Sequence, residues 1–255
     1  MNHRPRAHRL LLVAAIIMPA VTYAQLNVIT SGGFAIPLAQ IVPEFEKTSG
    51  IAVTTTRGQS QGGGQNAIAA QLQRGVPADV VIMAREGLDE LIAAGEIVPH
   101  SDVNLAQTPL GVAVKAGSPK PDFGNVAAFK QMLLDAKSIT FPSSTTGIYM
   151  LNKLFPQLGI ADEISGKITH TGVTDVAKGN AEFAIQPVSE LLHVPGTDFA
   201  GTIPREIQYM SVFSCAAVKD AKHLETATHL IAFLKSETAR KAILNSGMEP
   251  LQASH

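Results

Sequence analysis

Apolar and polar positions follow two rhythms along the chain. Residues 26–30 form a short apolar run rich in Val and Ile, the pattern of a buried strand. Over 37–47, Leu38, Ile41, Val42 and Phe45 fall at helical spacing, and Ser49-Gly50 closes the run. The β-branched stretch 51–56 predicts a second strand. "RGQSQGGGQ" breaks it and leads into a helix carrying Ile68 and Leu72. "ADVVIMA" (78–84) predicts a third strand, and "EGLDELIAAGEI" a third helix, stopped by Gly95. The rhythm then returns, with a strand in "LGVAVKAG", a helix over 126–136 and a strand over 138–141. "SSTTGIYMLNKLF" reads as a turn feeding a helix; 167–170, "AEFAIQ" and "YMSVFSCAAV" read as strands. Helices over 224–234 and in "ETARKAILNSG" complete the pattern.

Strands alternating with helices at this spacing predict an α/β fold built from βαβ units. Joints near 108–112 and 204–212 divide it into two lobes. Each lobe is expected to be a mostly parallel sheet flanked by helices, with a ligand cleft between the lobes. The expected organisation is 25–108 for the first part of lobe 1, 109–208 for lobe 2 and 209–255 for the return to lobe 1.

The first 24 residues stand apart. Arg4, Arg6 and Arg9 precede a continuous apolar run over 10–18, and Thr22-Tyr23-Ala24 supplies small residues at cleavage spacing. This predicts a secretory signal peptide (1–24), since the run is too short to span a bilayer. No later stretch is long and apolar enough to cross a membrane. The exported chain then starts near Gln25, with 231 residues, enough for one or two domains with a full core. Losing three arginines and no acid takes the formal charge from −1 to −4, which argues against nucleic acid as the main partner. The single cysteine, Cys215, cannot form an internal disulfide, and its strand-like setting predicts a buried, inert thiol. A periplasmic, monomeric protein fits these features.

In open α/β sheets ligands bind beyond the carboxyl ends of the strands. That rule selects residues 31–34, 57–61 and 85–86 in the first half and 143–149, 170–172 and 186–189 in the second. Ser31, Gly32 and Gly33 leave backbone N–H groups bare at a helix entry, a setting that favours an anion, although a small-residue turn needs no ligand. Ser143, Ser144, Thr145, Thr146 and Gly147 supply more hydroxyls than helix capping requires. Ser60 and Gln61 lie in a glycine-rich loop that matches neither the phosphate loop nor the dinucleotide fingerprint, so no nucleotide cofactor is expected. Arg57 and Arg85 are cations able to grip a carboxylate, and which of them is the main anchor stays open. Arg85 is equally suited to pair with Glu86 or Asp89. His170 ends a predicted strand, and Tyr149 can offer a hydroxyl to a ligand or pack on its lobe. No metal is expected, because His100, His193, His223 and His229 show no ligand spacing. No Gly-x-Ser-x-Gly nucleophile elbow appears.

"LNVITSGGFA", "GVPADVVIMA", "STTGIY" and "MEPL" resemble the molybdate-type periplasmic solute-binding proteins over essentially the whole exported chain. That resemblance implies the type II binding-protein fold, with two lobes, a two-strand hinge and a closing cleft. The chain departs from the molybdate binders at three points. Ser31-Gly32-Gly33-Phe34 replaces consecutive serines, Gln59-Ser60-Gln61 replaces a serine run, and Gln186 stands where a tyrosine is usual. "SGGFA", "ADVVIM", "GIY" and "VSELL" together resemble the branch of that superfamily that holds aconitate isomerases.

The second resemblance implies cofactor-independent interconversion of trans- and cis-aconitate by allylic proton transfer in the cleft. It gives His170 and Tyr149 as proton-transfer candidates. Ser31, Gly32, Gly33, Ser60, Gln61, Arg85, Ser144, Thr145, Thr146, Gly147 and Gln186 would hold the polycarboxylate. The alternative it leaves is a receptor serving an ABC permease, for a molybdate-like oxyanion or a di- or tricarboxylate, without catalysis.

Overall fold

Strand β1 (Gln25–Ser31) runs directly into helix α1 (Gly32–Ser49), and β2 (Ala52–Gly58) follows. The computed structural model describes residues 25–251, so the predicted signal peptide lies outside the described residues. Next come α2 (Ile68–Gln73), β3 (Val80–Ala84), α3 (Arg85–Ala93) and the long β4 (Val103–Lys115). The second lobe carries α4 (Val126–Asp135), β5 (Ile139–Thr140), α5 (Thr145–Tyr149), α6 (Phe155–Leu158), α7 (Ala161–Ile164) and β6 (Ile168–Thr169). It continues through α8 (Val173–Lys178), β7 (Phe183–Pro187), α9 (Val188–Leu191) and β8 (Thr197–Thr202). The chain returns through β9 (Met210–Ala217), α10 (Leu224–Phe233), α11 (Glu237–Asn245) and β10 (Glu249–Pro250). Among the described residues no helix is long and apolar enough to cross a membrane.

In lobe 1, β2-β1-β3 are parallel neighbours, and β9 pairs antiparallel with β3. Side chains alternate between the two faces of a strand. Leu26, Val28, Val80 and Ile82 therefore pack with Phe34, Leu38, Ile41 and Leu230 on one face. Ile29, Val81 and Met83 pack with Ile68, Leu88 and Leu91 on the other. Helices cover both faces, which is why these strands read as continuous apolar runs rather than as alternation. In lobe 2, β7-β5-β6 are parallel, over a core that includes Phe129, Phe141, Met150, Phe155 and Ile185.

One strand joins the lobes. Val103 to Pro109 of β4 pair with β9, whereas Leu110 to Ala113 pair with β7 and Gly111 to Lys115 with β8. All these pairings are antiparallel, so the parallel outer strands of each lobe meet an antiparallel centre. The alternation of elements cannot reveal this, because a returning strand has the same local pattern as a parallel one. The second crossing runs beside the first. The Gln208 side chain accepts from Leu110 N–H (2.8 Å) and donates to the carbonyls of Leu110 and Ile203 (both 3.1 Å).

Helix α1 begins five residues before the predicted start and holds Pro37 and Pro43 inside it. An interior proline forfeits a helix hydrogen bond, at a cost of about 3 kcal/mol. Burial of Phe34, Leu38, Ile41 and Phe45 along one stripe offsets that cost. The predicted helix after "SSTTGIY" is also interrupted: α5 and α6 are joined by a π turn over Met150–Leu154.

Two side chains of lobe 1 yield predictions. The buried Asp79 carboxylate accepts from Asn27 N–H (2.8 Å) and His223 N–H (3.1 Å), tying β1 to the entry of α10. Asp79→Ala should cost roughly 2–5 kcal/mol by urea unfolding, because it strands backbone donors in the interior; a loss below about 0.5 kcal/mol would refute that role. Cys215 is fully buried, and burial pushes its thiol up to about 12. The native protein should therefore resist thiol reagents at pH 8, and the urea-unfolded chain should react at once.

Candidate functional site

The carboxyl ends of the parallel strands from both lobes face one cleft. Ser31 and Gly32 come from the β1–α1 junction, Gly58, Gln59 and Ser60 from the end of β2, and Ala84 from the end of β3. Lobe 2 supplies Pro142, Ser144, Thr145 and Thr146 after β5, and Pro187 and Glu190 after β7. Ser211 and Phe213 of β9 form the back wall. The cavity has a volume of about 170 Å³.

Most polar groups here are hydroxyls, and their bonding is incomplete. Ser31 occupies the N-cap position of α1, yet its Oγ makes no capping bond and is buried without a partner. Thr145 Oγ1, across the cleft at the start of α5, is likewise buried and unpartnered. Ser60 Oγ accepts from Ala84 N–H (2.8 Å), which leaves its own proton for the cavity. Ser144 Oγ accepts from Gln61 N–H (3.0 Å), a bond that reaches from lobe 1 to lobe 2. Close packing sets the α1 entry: a Cβ at Gly33 would collide with the Phe213 ring, and one at Gly32 would lie 3.3 Å from Glu190 Oε1.

Glu190 is the one ionisable side chain among the lining residues. Gln186 Nε2 donates to its Oε2, and Gln186 Oε1 accepts from Val173 N–H (2.6 Å). The second bond fixes the amide, so Oε2 of Glu190 is held as an acceptor. Burial pushes the Glu190 carboxyl above the usual carboxylate range, while the Gln186 bond and the charge of Arg57 pull it back only in part.

The structure distributes the sequence-derived candidates unevenly. Ser31, Gly32, Ser60, Ser144, Thr145 and Thr146 line the cavity. Gly33, Gln61, Gly147 and Gln186 stand just behind it. Gly147 lets the Pro142 carbonyl lie against the helix, where a Cβ would collide. Arg85, Tyr149 and His170 are engaged elsewhere or lie away from the cavity. Arg85 bonds Asp89 and reaches Asp102 at 2.8 Å, so its guanidinium is engaged by two carboxylates. The Tyr149 hydroxyl donates to the Ile207 carbonyl (3.0 Å), and its ring stacks on Tyr209 at 4.6 Å. Tyr209 in turn donates to Glu86 Oε1, giving Glu86 a structural partner. His170 is exposed, with its ring edge-on to Phe141 at 5.3 Å.

Arg57 makes no ion pair among the described residues, and its charge is felt by Glu190. Sequence reasoning passed over Glu190, Ser211 and Phe213. Glu190 had a signal: it lies one residue beyond the 186–189 stretch selected after β7, and one helical turn from Gln186. Ser211 and Phe213 had none, because they sit within a crossing strand rather than at a strand end. Among the described residues no cluster of three or more His, Cys, Asp or Glu is gathered to hold a metal.

Residues 26–249 match the family model of the bacterial extracellular solute-binding proteins. A protein of Pseudomonas sp. named aconitate isomerase is 36% identical over 248 residues, covering 96% of this chain and 95% of that one. The periplasmic molybdate-binding protein of Azotobacter vinelandii superposes with a TM-score of 0.71 at 20% identity, over 89% of this chain and 100% of the other. The sulfate-binding protein SubI of Mycobacterium tuberculosis gives 0.71 at 20% identity, over 90% and 88%. These two similarities speak for the fold: an α/β architecture with a mixed sheet in two lobes. The match across nearly all described residues, with the long relative beside it, places the chain in the bacterial extracellular solute-binding protein family.

Proposed function

We propose that this protein is a periplasmic aconitate isomerase, binding aconitate between its lobes and interconverting the trans and cis isomers without a cofactor. The observation that carries the binding reading is the pair of buried hydroxyls, Ser31 Oγ and Thr145 Oγ1, one from each lobe and neither with a protein partner. A buried hydroxyl without a hydrogen bond costs about 1–3 kcal/mol, a cost that a ligand carboxylate between the lobes removes. The bare N–H groups at the entry of α1 add to the same attraction. A cavity of about 170 Å³ suits a compact organic acid; pockets for drug-sized ligands run to about 300–1,000 Å³. The relative named aconitate isomerase supports the choice of acid and of reaction.

In this reading Arg57 anchors an outer carboxylate of the substrate, since Arg85 is engaged by Asp89 and Asp102. Ser31, Ser60 and the 144–146 turn hold the rest, and the Gln61–Ser144 bond links the two lobes beside them. Closure excludes water while a carbon-bound proton moves. A transport receptor for a small anion is the second reading, favoured by the near absence of ionisable groups along the walls. Its occupant would leave unchanged, for a membrane permease.

Purified protein incubated with trans-aconitate should form cis-aconitate with no added cofactor, followed by chromatography. Binding without conversion across neutral pH would sink the isomerase and leave the receptor; tight binding of molybdate with none of aconitate would sink both polycarboxylate readings. Arg57→Gln should weaken aconitate binding about 10- to 100-fold by calorimetry, the worth of one charge-assisted hydrogen bond. Arg85→Gln should stay within a few-fold of the wild type, and the reverse ranking would make Arg85 the anchor.

A further inference from the structure

Of the residues that line the cavity, thirteen are neutral or backbone-only contributors and one, Glu190, can gain or lose a proton. It holds an unusual position. Oε2 is fixed by the Gln186 amide, whose own oxygen is fixed by Val173 N–H, so the amide cannot turn over to offer an acceptor instead. Oε1 makes no hydrogen bond among the described residues and lies over Gly32, at the floor of the cleft between Ser31 and the second lobe. A side chain at position 32 would crowd that oxygen, whereas glycine leaves it open to the cavity. An oxygen held on a rigid arm, free of partners and facing the ligand cavity is the arrangement proton transfer to and from carbon requires.

We propose that Glu190 is the catalytic residue of the allylic isomerisation, taking a proton from the substrate on Oε1 and returning it to the other end of the three-carbon unit. This inference rests on the isomerase reading above. The methylene C–H bond breaks, and its proton goes to Oε1. Its electron pair becomes the new C=C bond to the central carbon. The pair of the old C=C bond shifts to the far carbon, which takes the proton back from Oε1 as a new C–H bond. Nothing is oxidised or reduced, and the carboxylate ends as it began. Charge that builds up on the substrate meets the hydroxyls of Ser31, Ser60 and Thr145. His170 and Tyr149 take no part, the first standing outside the cavity and the second committed to the Ile207 carbonyl.

The test compares the wild type, Glu190→Gln and Glu190→Asp in three measurements. These are calorimetric binding of trans-aconitate, conversion by chromatography, and deuterium uptake into recovered aconitate by NMR. Glu190→Gln should bind within about tenfold of the wild type while conversion and uptake fall by about 10²–10⁴-fold. Glu190→Asp should keep a measurable part of both. Should Glu190→Gln fail to fold, Glu190→Ala with added formate should regain turnover in proportion to formate. A Glu190→Gln protein that converts aconitate at the wild-type rate overturns the proposal and leaves the isomerase standing. Loss of binding in step with turnover also overturns it, making Glu190 a ligand-holding group. A wild type that binds aconitate but neither converts it nor exchanges its protons overturns the isomerase reading itself.

Discussion

Strand β4 belongs to both lobes, and the cleft depends on that sharing. Its first half is hydrogen-bonded to β9 and its second half to β7 and β8. The lobes are therefore held in register by a continuous ladder rather than by a flexible linker. Gln208 ties the return crossing to Leu110 with two side-chain bonds and to Ile203 with a third, so the two crossings sit side by side as one narrow joint. From that joint the parallel strands of each lobe point their carboxyl ends at the other lobe. Helix entries and loop hydroxyls then converge on one space, as the topology of open α/β sheets demands. The cleft follows from the strand order, and no special loop is needed to create it.

What fills the cleft is decided by hydrogen-bond accounting. Ser60 and Ser144 share the geometry of their neighbours, yet both accept a backbone N–H and so also serve the fold. Ser31 and Thr145 serve nothing within the protein. A serine at a helix N-cap ordinarily bonds the second or third N–H of the helix. Ser31 forgoes that bond while buried at the cavity, which leaves its hydroxyl free for a ligand. The same logic separates the two arginines. A guanidinium clasped by two aspartates has its fork geometry already satisfied, whereas Arg57 keeps its donors available at the end of β2.

Much of this was legible in the sequence because the signals are local. Leu26 to Ser31 and Val80 to Ala84 are short β-branched or apolar runs bounded by small residues, and both are strands. Ser31, Ser60 and the Ser144–Thr146 turn sit at strand ends, where the ligand rule looks. The elements that escaped are those set by distant packing. Helix α1 runs through two prolines because its apolar stripe is buried, and β8 and α9 are too short to show a period. The antiparallel centre is a property of the return path, which no local window contains. His170 and Tyr149 carried suggestive chemistry at plausible places. A one-dimensional reading cannot tell that one ring lies outside the cavity and that the other hydroxyl is spent on a carbonyl.

A carboxyl at the heart of an anion site looks self-defeating, since like charges repel. Three features of the cleft ease the conflict. Burial pushes the Glu190 carboxyl above the usual carboxylate range, which favours its neutral form. The Gln186 hydrogen bond and the charge of Arg57 oppose that effect. The hydroxyls around it accept and donate with equal ease, so they can follow either protonation state without a change of fold. On the proposed isomerase reading, the carboxyl at position 190 is what would set this cleft apart from one made only for capture and release.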